Sequence, residues 1–280
     1  MIYVRIWEGL GNQLFQYAYA RAVQLRNNED VRLCALHGRG KRTFRQYELD
    51  KLAITLSRDK TFERIAEYVD SHQKVRELVE MISGLSGVNG YIEEQDVQYK
   101  EELKFLKGNY YVSGWLQNEK YFKEYEDIIR KEIRPKKKIK ISKELKYILD
   151  NKETVSVHIR RGDFKKYNNL LSMDYYKKAL DLIETQVENA YYVVFSDNLD
   201  WVKKCMQFDK DVYFVNEDKK LEDYEELFVM SKCKHNIVAN STFSWWGAWL
   251  NTNINKIVIG PEHWFARSKL NIMPESWIKI

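Results

Sequence analysis

The stretch Val155–Asp163 reads VSVHIRRGD, so two adjacent arginines, Arg160 and Arg161, follow an apolar run and precede a glycine. The run has the composition of a buried strand. Both guanidinium groups then sit near the carboxyl end of a strand, which is where parallel sheets hold ligands. Arginine presents a planar fork of donors that matches phosphate oxygens, and it does not lose its charge. Gly162 allows a tight turn after the pair. His158 alternates with Val157 and Ile159, so its ring faces away from theirs. One reading is a grip on a diphosphate. Another is an arginine pair tied to Asp163 in an ion pair. A third combines them, with Asp163 orienting one arginine while the other binds phosphate.

Three further segments have residue types that fit the same chemistry. Gly9–Gln13 reads GLGNQ and begins like a dinucleotide fingerprint, but Leu14 stands where the third glycine belongs. The second strand also ends at His37, where that fingerprint wants an acid, so a nicotinamide dinucleotide is disfavoured. Gly9 and Gly11 still open a turn before a helix, whose first N–H groups attract an anion. Asn12 and Gln13 add amides suited to sugar hydroxyls. A plain tight turn is the alternative. Asn240–Trp249 reads NSTFSWWGAW. Ser241, Thr242 and Ser244 can cap the helix that follows, or the loop Asn240–Ser244, including Phe243, can hold phosphate at the helix end. Trp245, Trp246 and Trp249 fall at helical spacing and fit a core better than a sugar platform. In Phe195–Asn198, FSDN, Asp197 stands beside Ser196 at a strand end. It can accept hydrogen bonds from a base or ribose, or cap the helix that begins near Asp200.

The elements that would position these residues are readable in outline. Ile2–Ile6 is a short strand, Gly9–Asn12 a turn with Asn12 as N-cap, Gln13–Arg26 a helix and Val31–Leu36 a second strand. Arg58–Ile82 has helical spacing, and Ser83–Gly90 is a loop. Tyr110–Trp115 is a strand, and Glu119–Ile133 a helix that ends before Pro135. Arg134–Lys146, RPKKKIKISKELK, is the best domain junction. A solvated linker is its simplest reading. The alternatives are a patch for acidic lipid or an anionic substrate, while nucleic acid is disfavoured because no RNA- or DNA-binding signature accompanies it. Beyond it, Thr154–Ile159, Tyr191–Phe195, Val212–Val215, Ile237–Ala239 and Lys256–Ile259 are strands. Met173–Gln186, Asp200–Met206, Glu222–Ser231 and Phe243–Leu250 are the helices between them. Regular alternation of this kind makes a parallel sheet with helices on its faces.

Composition limits the function classes. The chain has 280 residues, 44% hydrophobic and 31% charged, with 8 Trp, 19 Tyr and 12 Phe. It reads as a folded α/β protein rich in rings that can pack on sugar faces. The three cysteines, Cys34, Cys205 and Cys233, lie far apart in apolar runs. They are expected as small buried hydrophobes, without disulfides or a zinc site. No P-loop and no HExxH occurs. The acidic clusters Glu93–Asp96 and Glu217–Asp218 lack the setting of a metal site, so no metal ligand is assigned. The amino terminus lacks a basic and apolar leader, and no run approaches the roughly 18 apolar residues of a membrane span. The expected location is therefore cytoplasmic.

GLGNQLFQYAYARA near the start, HIRRGD mid-chain, FSDN and NSTFSWWGAWL, in that order, resemble the bacterial α-1,2-fucosyltransferases of glycosyltransferase family 11. The match spans nearly the whole chain. HxRRxD is shared in some form with the α-1,6-fucosyltransferases, but the four segments together are specific. The resemblance implies an α/β fold of GT-B type, with two Rossmann-like domains facing across a cleft. Residues 1–140 would be mainly acceptor-binding and 141–280 would bind the GDP-sugar. It implies GDP-β-L-fucose as co-substrate, with no cofactor and no metal. Fucose would pass with inversion to the 2-hydroxyl of a terminal galactose, in a glycan such as an O-antigen or capsule repeat. In this family's motif Arg160 grips the diphosphate, supported by Arg161 and Asp163. The Ser241–Ser244 loop belongs to the same donor pocket, and His158, Ser196 and Asp197 are assigned to donor binding beside it from their strand-end positions. Animal relatives carry a membrane anchor that this sequence lacks, so a lipid-linked acceptor at the inner face of the cell membrane is expected, with peripheral contact through the basic stretch. Two other classes stay open: an inverting transferase for another nucleotide sugar or linkage, and a non-catalytic carbohydrate-binding protein.

A transfer of this kind needs charge stabilised on the leaving diphosphate, which Arg160 and helix-end N–H groups can do. The acceptor hydroxyl needs a proton acceptor. Glu8 and Asp163 are the candidates, with Asn12 orienting the hydroxyl. Acceptor specificity is expected within Lys41–Gly108, where the pattern is least legible.

Overall fold

Hydrophobic alternation sets the first strand: in β1 (Ile2–Ile6) Ile2, Val4 and Ile6 are buried. In this computed structural model the described residues are 1–35, 45–71, 90–94, 96–162, 169–217, 220–265 and 270–280. The chain forms two compact units, Met1–Lys136 and Lys137–Ile280, so the junction falls inside the basic stretch.

In the first unit β1, β2 (Val31–Ala35), β3 (Gly90–Glu94) and β4 (Tyr110–Gly114) form a parallel sheet in the order β2-β1-β4-β3. Helix α1 (Leu10–Asn27) crosses from β1 to β2 and is buried on nearly every side from Leu10 to Val23. It begins earlier than its apolar spacing indicates. Gly9, not Asn12, is the N-cap, because the Asn12 N–H already bonds Gly9 O at 2.9 Å and lies inside the first turn.

Helix α2 (Lys60–Ser71) starts two residues after the expected Arg58, where Asp59 Oδ1 accepts the N–H groups of Thr61 and Phe62. The expected continuation over 72–82 and most of the expected Ser83–Gly90 loop lie outside the described residues. Gly90 itself opens β3, an edge strand whose charged residues hid it in the sequence. A short turn of helix, α3, spans Glu101–Lys104.

The helix expected over Glu119–Ile133 is broken. Single turns at Glu119–Tyr121 and Lys123–Tyr125 precede α4 (Glu126–Glu132). Phe122 causes the break: it is fully buried 6.1 Å from the Phe15 ring, at φ −136°, which no helix allows.

The second unit opens with α5 (Lys143–Asn151), inside the stretch read as linker; Ser142 caps it by accepting the Leu145 N–H. Parallel strands follow: β5 (Glu153–Ile159), β6 (Ala190–Ser196), β7 (Val212–Phe214), β8 (His235–Ile237), β9 (Val258–Gly260) and β10 (Ile278–Lys279). Their order is β7-β6-β5-β8-β9-β10, that of a doubly wound nucleotide-binding sheet, with its reversal between β5 and β8. The intervening helices are α6 (Met173–Glu184), α7 (Leu199–Cys205), α8 (Asp223–Lys232) and α9 (Thr242–Leu250).

One face of this sheet buries Val155, Val157 and Ile159 with Tyr175, Tyr176 and Ala179 of α6. The other buries Val193 and Phe195 with Leu145 and Ile148 of α5 and Val229 and Met230 of α8. Trp245, Trp246 and Trp249 are core residues at 5.0–6.1 Å spacing. Cys34 and Cys233 are buried as expected. Cys205 is not, because it ends α7 beside the exposed Lys203 and Lys204. Among the described residues no helix is long and apolar enough to cross a membrane.

Candidate functional site

At the carboxyl end of the second sheet the strand order does the positioning. Val155, Ser156 and Val157 pair with His235, Asn236 and Ile237, so the segments after β5 and β8 emerge side by side. The first carries Arg160 and Arg161, the second Asn240 and Ser241. Asp197, just beyond β6, ties the arginine turn together. Its Oδ1 accepts the Arg161 N–H at 2.9 Å, its Oδ2 accepts the Gly162 N–H at 3.0 Å, and Oδ2 also meets Arg160 Nη1 at 3.1 Å. The approach is so close that a Cβ on Gly162 would stand 2.8 Å from Oδ2. That distance is the reason for glycine there, more than turn flexibility.

One expectation changes as a result. Asp197 caps no helix: Asn198 does so for α7, accepting the Trp201 N–H at 3.1 Å, while Ser196 Oγ accepts the Asn198 N–H at 3.1 Å. The carboxylate of Asp197 braces the arginine turn. Asp163 lies outside the described residues. Among the described residues Arg160 pairs with Asp197, and the Arg161 guanidinium lies 3.6 Å over the Trp201 ring. The Arg160 and Asp197 side chains are each 22% exposed, so the fork of Arg160 is reachable from solvent.

His158 points to the face opposite Val157 and Ile159, as alternation requires, with its ring 5.7 Å from that of Phe243 in the first turn of α9. Burial and then the nearby Arg160 charge push its pKa down to about 3, so the imidazole is neutral. Its Nδ1 is buried and finds no hydrogen-bond partner among the described residues. The α9 end departs from the capping expectation. Ser241 is the N-cap by backbone geometry, yet its side chain makes no cap bond. Ser244 Oγ turns back to Ala239 O and Ser241 O, and Asn240 Nδ2 donates to Asn169 O and Trp264 O. Thr242 and Phe243 are partly exposed. The helix start therefore keeps backbone donors without a side-chain cap.

Glu226, in α8, escaped the sequence reading. It sits in the acidic run Glu222–Glu226, where nothing in the linear order separates it from its neighbours. Burial separates it. Removal from water and the Asp223 charge raise its pKa to about 7, opposed by a hydrogen bond from Asn216 Nδ2 and by the charges of Lys220 and Arg160. Asn216 follows β7 in the left-handed region, at φ 70°.

The carboxyl end of the first sheet is built differently. The Gln13 side chain, 1% exposed, donates to Glu8 O and Gln46 O at 2.8 Å and accepts the Glu48 N–H at 3.0 Å. Its expected contact with a sugar is therefore replaced by loop bracing. Gly11 is buried in the first turn of α1, whereas a Cβ on Gly9 would meet nothing within 4 Å. Asn12 Oδ1 accepts from Gln117 Nε2 at 2.8 Å. Gln16, fully buried, accepts the Trp7 N–H at 2.9 Å and donates to Gly114 O. Glu94 Oε2 accepts the N–H groups of Trp115 and Leu116 at 2.7 and 3.1 Å. Burial lifts the Glu94 pKa to about 6 against those two bonds. Of the sequence candidates, Gly9, Gly11, Asn12 and Gln13 thus share the first unit. His158, Arg160, Arg161, Ser196, Asp197 and Asn240–Ser244 share the second.

A family model, "Glycosyl transferase family 11", matches residues 89–280. The chain is 32% identical to the O-antigen biosynthesis glycosyltransferase WbnK of Escherichia coli, covering 97% of this chain and 98% of that one. It is 30% identical to an alpha-1,2-colitosyltransferase of Escherichia coli, covering 100% and 99%. Galactoside alpha-(1,2)-fucosyltransferase 1 of Alouatta belzebul is 25% identical over 86% of this chain and 62% of its own. Among solved structures, an Arabidopsis thaliana FUT1 variant in complex with GDP matches the fold with a TM-score of 0.55 at 12% identity, over 98% of this chain and 76% of that one.

Proposed function

The chain belongs to glycosyl transferase family 11, and we propose that it moves L-fucose from GDP-β-L-fucose to the 2-hydroxyl of a terminal galactose, with inversion at C1. One observation carries the reading. Arg160, braced by Asp197 over the Gly162 turn, stands where the sheet order reverses, next to the start of α9. A diphosphate is the ligand that needs both groups. In the proposed step the acceptor oxygen bonds C1 while the bond from C1 to the β-phosphate oxygen breaks, and the electron pair stays on GDP. Arg160 and the N–H groups of Thr242 and Phe243 stabilise that charge, and no metal or cofactor is assigned a part. Neutral His158 lines the pocket without adding charge. Ionised Glu226 offers an acceptor for the N–H edge of guanine. The hydroxyl proton goes to a carboxylate, with Glu8 and Asp163 the candidates and Asn12 orienting the hydroxyl. The acceptor fits an O-antigen or capsule repeat, and one carried on a lipid would bring the exposed lysines of 136–146 to the inner face of the membrane.

The colitosyltransferase relative favours a second reading, transfer of colitose, which lacks one ring hydroxyl of fucose. The grip on the diphosphate is the same in both. GDP release with GDP-fucose and a panel of β-galactosides, followed by linkage analysis of the product, tests the proposal. Turnover confined to GDP-colitose would select the second reading, and turnover with UDP or TDP sugars alone would remove both.

A further inference from the structure

Trp7 follows β1, Trp115 follows β4, and these strands are neighbours in the first sheet. The two rings lie 4.6 Å apart at 37°, and both are partly exposed. Trp7 also carries the Arg5 guanidinium at 5.1 Å. Trp115 has no ring or cation partner besides Trp7 among the described residues.

The loops under these rings are held with unusual effort. Gln16 links the Trp7 N–H to Gly114 O, Gln13 fixes the Glu8 carbonyl, and Glu94 takes the N–H groups of Trp115 and Leu116. All three side chains are at least nine-tenths buried; the two glutamines use both ends of their amides, while Glu94 spends Oε2 on both N–H groups and leaves Oε1 buried without a partner among the described residues. Each loop also holds one non-glycine residue in the left-handed region, Glu8 at φ 65° and Leu116 at φ 53°. Trp245, Trp246 and Trp264 are hidden outright, and the partly exposed Trp201 is covered by the Arg161 guanidinium. Here the chain fixes a ring at the surface. Rigid support beneath an exposed group is the construction expected of a binding surface. Beside it, Asn12 uses Oδ1 on Gln117 and has no partner for Nδ2 among the described residues.

We infer that Trp115, backed by Trp7, is the stacking platform for the acceptor sugar, taking the C–H face of a neutral pyranose while the Asn12 amide donates to one of its hydroxyls. The ligand is neutral because the Trp115 ring offers only a π face and the Asn12 amide beside it carries no charge, while the Glu94 carboxylate is turned inward onto the Trp115 and Leu116 N–H groups. The inference rests on the proposed transfer for calling that sugar the acceptor. It places acceptor recognition outside the Lys41–Gly108 region where the sequence put it.

The test uses the full chain with GDP-fucose and lactose. Trp115→Ala raises the lactose KM at least ~10-fold and leaves the GDP-fucose KM within about twofold, while Trp115→Phe keeps most of the affinity because a ring remains. Unchanged GDP-fucose binding by Trp115→Ala shows that the fold is intact. An unmoved lactose KM overturns the platform, and so does a rise in the GDP-fucose KM instead. If GDP-fucose is not turned over, the proposed function falls and a second readout still decides the platform. Lactose and methyl β-galactoside then quench native tryptophan fluorescence saturably, and Trp115→Ala loses this response while Trp115→Phe retains it. No saturable response of the native protein to either galactoside overturns the platform as well.

Discussion

At the carboxyl end of the second sheet the working groups are ionic. Arg160 meets Asp197, Arg161 lies on Trp201, and Glu226 feels the Arg160 charge. At the carboxyl end of the first sheet they are rings and amides, Trp7, Trp115, Asn12 and the buried glutamines, with one buried carboxyl group, Glu94, beneath them. Both ends crown parallel sheets with crossover helices. The first joins its neighbouring loops through the amides of Gln13 and Gln16 and the buried Glu94 carboxyl group beneath the surface. The second joins them through one carboxylate reaching across from the next strand. The same scaffold thus supports a surface led by rings and amides in one unit and one led by an ion pair in the other. The difference matches a neutral sugar acceptor and an anionic donor.

The sharpest way to break this contrast is at Arg160. Arg160→Lys keeps the charge but removes the fork, and Lys cannot meet Asp197 and a phosphate in one plane. Turnover should fall at least ~10-fold with unfolding behaviour unchanged, and Arg160→Ala should lose on the order of 10²–10³, the usual loss for one oxyanion donor. The acceptor KM should stay put in both variants. Near-native kcat/KM in Arg160→Lys would show that the second sheet does not grip its ligand by charge.

The ionic end announced itself in the sequence, whereas the neutral end did not. Arg160, Arg161 and Gly162 are consecutive and close an apolar run, so linear order alone puts the cations at a strand end. Trp7 and Trp115 are far apart in the chain, and only the pairing of β1 with β4 unites them. Apolar alternation revealed β5 and β6 because both are buried along most of their length. It missed β3, an edge strand, and β10, a two-residue strand, because little of either is buried. Helix α5 was hidden by lysines whose exposed heads say nothing about the buried Leu145 and Ile148 beneath them. Asp197 was visible as a strand-end acid, but two roles suited it equally in sequence. Its bonds to the Arg161 and Gly162 N–H groups were not visible, because that turn follows another strand.

A moderate effect should separate the two ends by pH. Glu226 faces Asn216, Asp223, Lys220 and Arg160, and its pKa of about 7 leaves it partly protonated at neutral pH. Donors from guanine favour the ionised form, so binding takes a proton off, and affinity falls as pH drops below about 7. GDP-fucose is the right probe because its phosphates do not titrate in this range. Its affinity should weaken about tenfold between pH 7.5 and 6, as expected for one linked proton. His158 does not contribute, since its pKa lies near 3. In Glu226→Gln the dependence should vanish in a calorimetric titration. A Gln variant that keeps the native slope would move the titrating group elsewhere.

The smallest effect on turnover is expected at the neutral end, from Glu94. Its pKa is raised from 4.5 to about 6, chiefly by burial, while the N–H groups of Leu116 and Trp115 and the Lys100 charge pull it down and Asp96 pushes it up. A carboxyl group with a raised folded pKa holds more protons folded than unfolded between those two values. Its contribution is therefore fully present below about pH 4.5 and is lost as pH rises through about 6. A shift of this size amounts to about 2 kcal/mol. Glu94→Gln keeps an oxygen for the Trp115 and Leu116 N–H groups but cannot ionise, so kcat should change less than about twofold because the platform is still held. Urea unfolding of the pair should show the Gln variant gaining on the native protein as pH rises from 4.5 to 7. The gap should then be flat above that range. A gap that stays constant across pH would mean that Glu94 is solvated, and the rigid support assigned to Trp115 would have lost one of its struts.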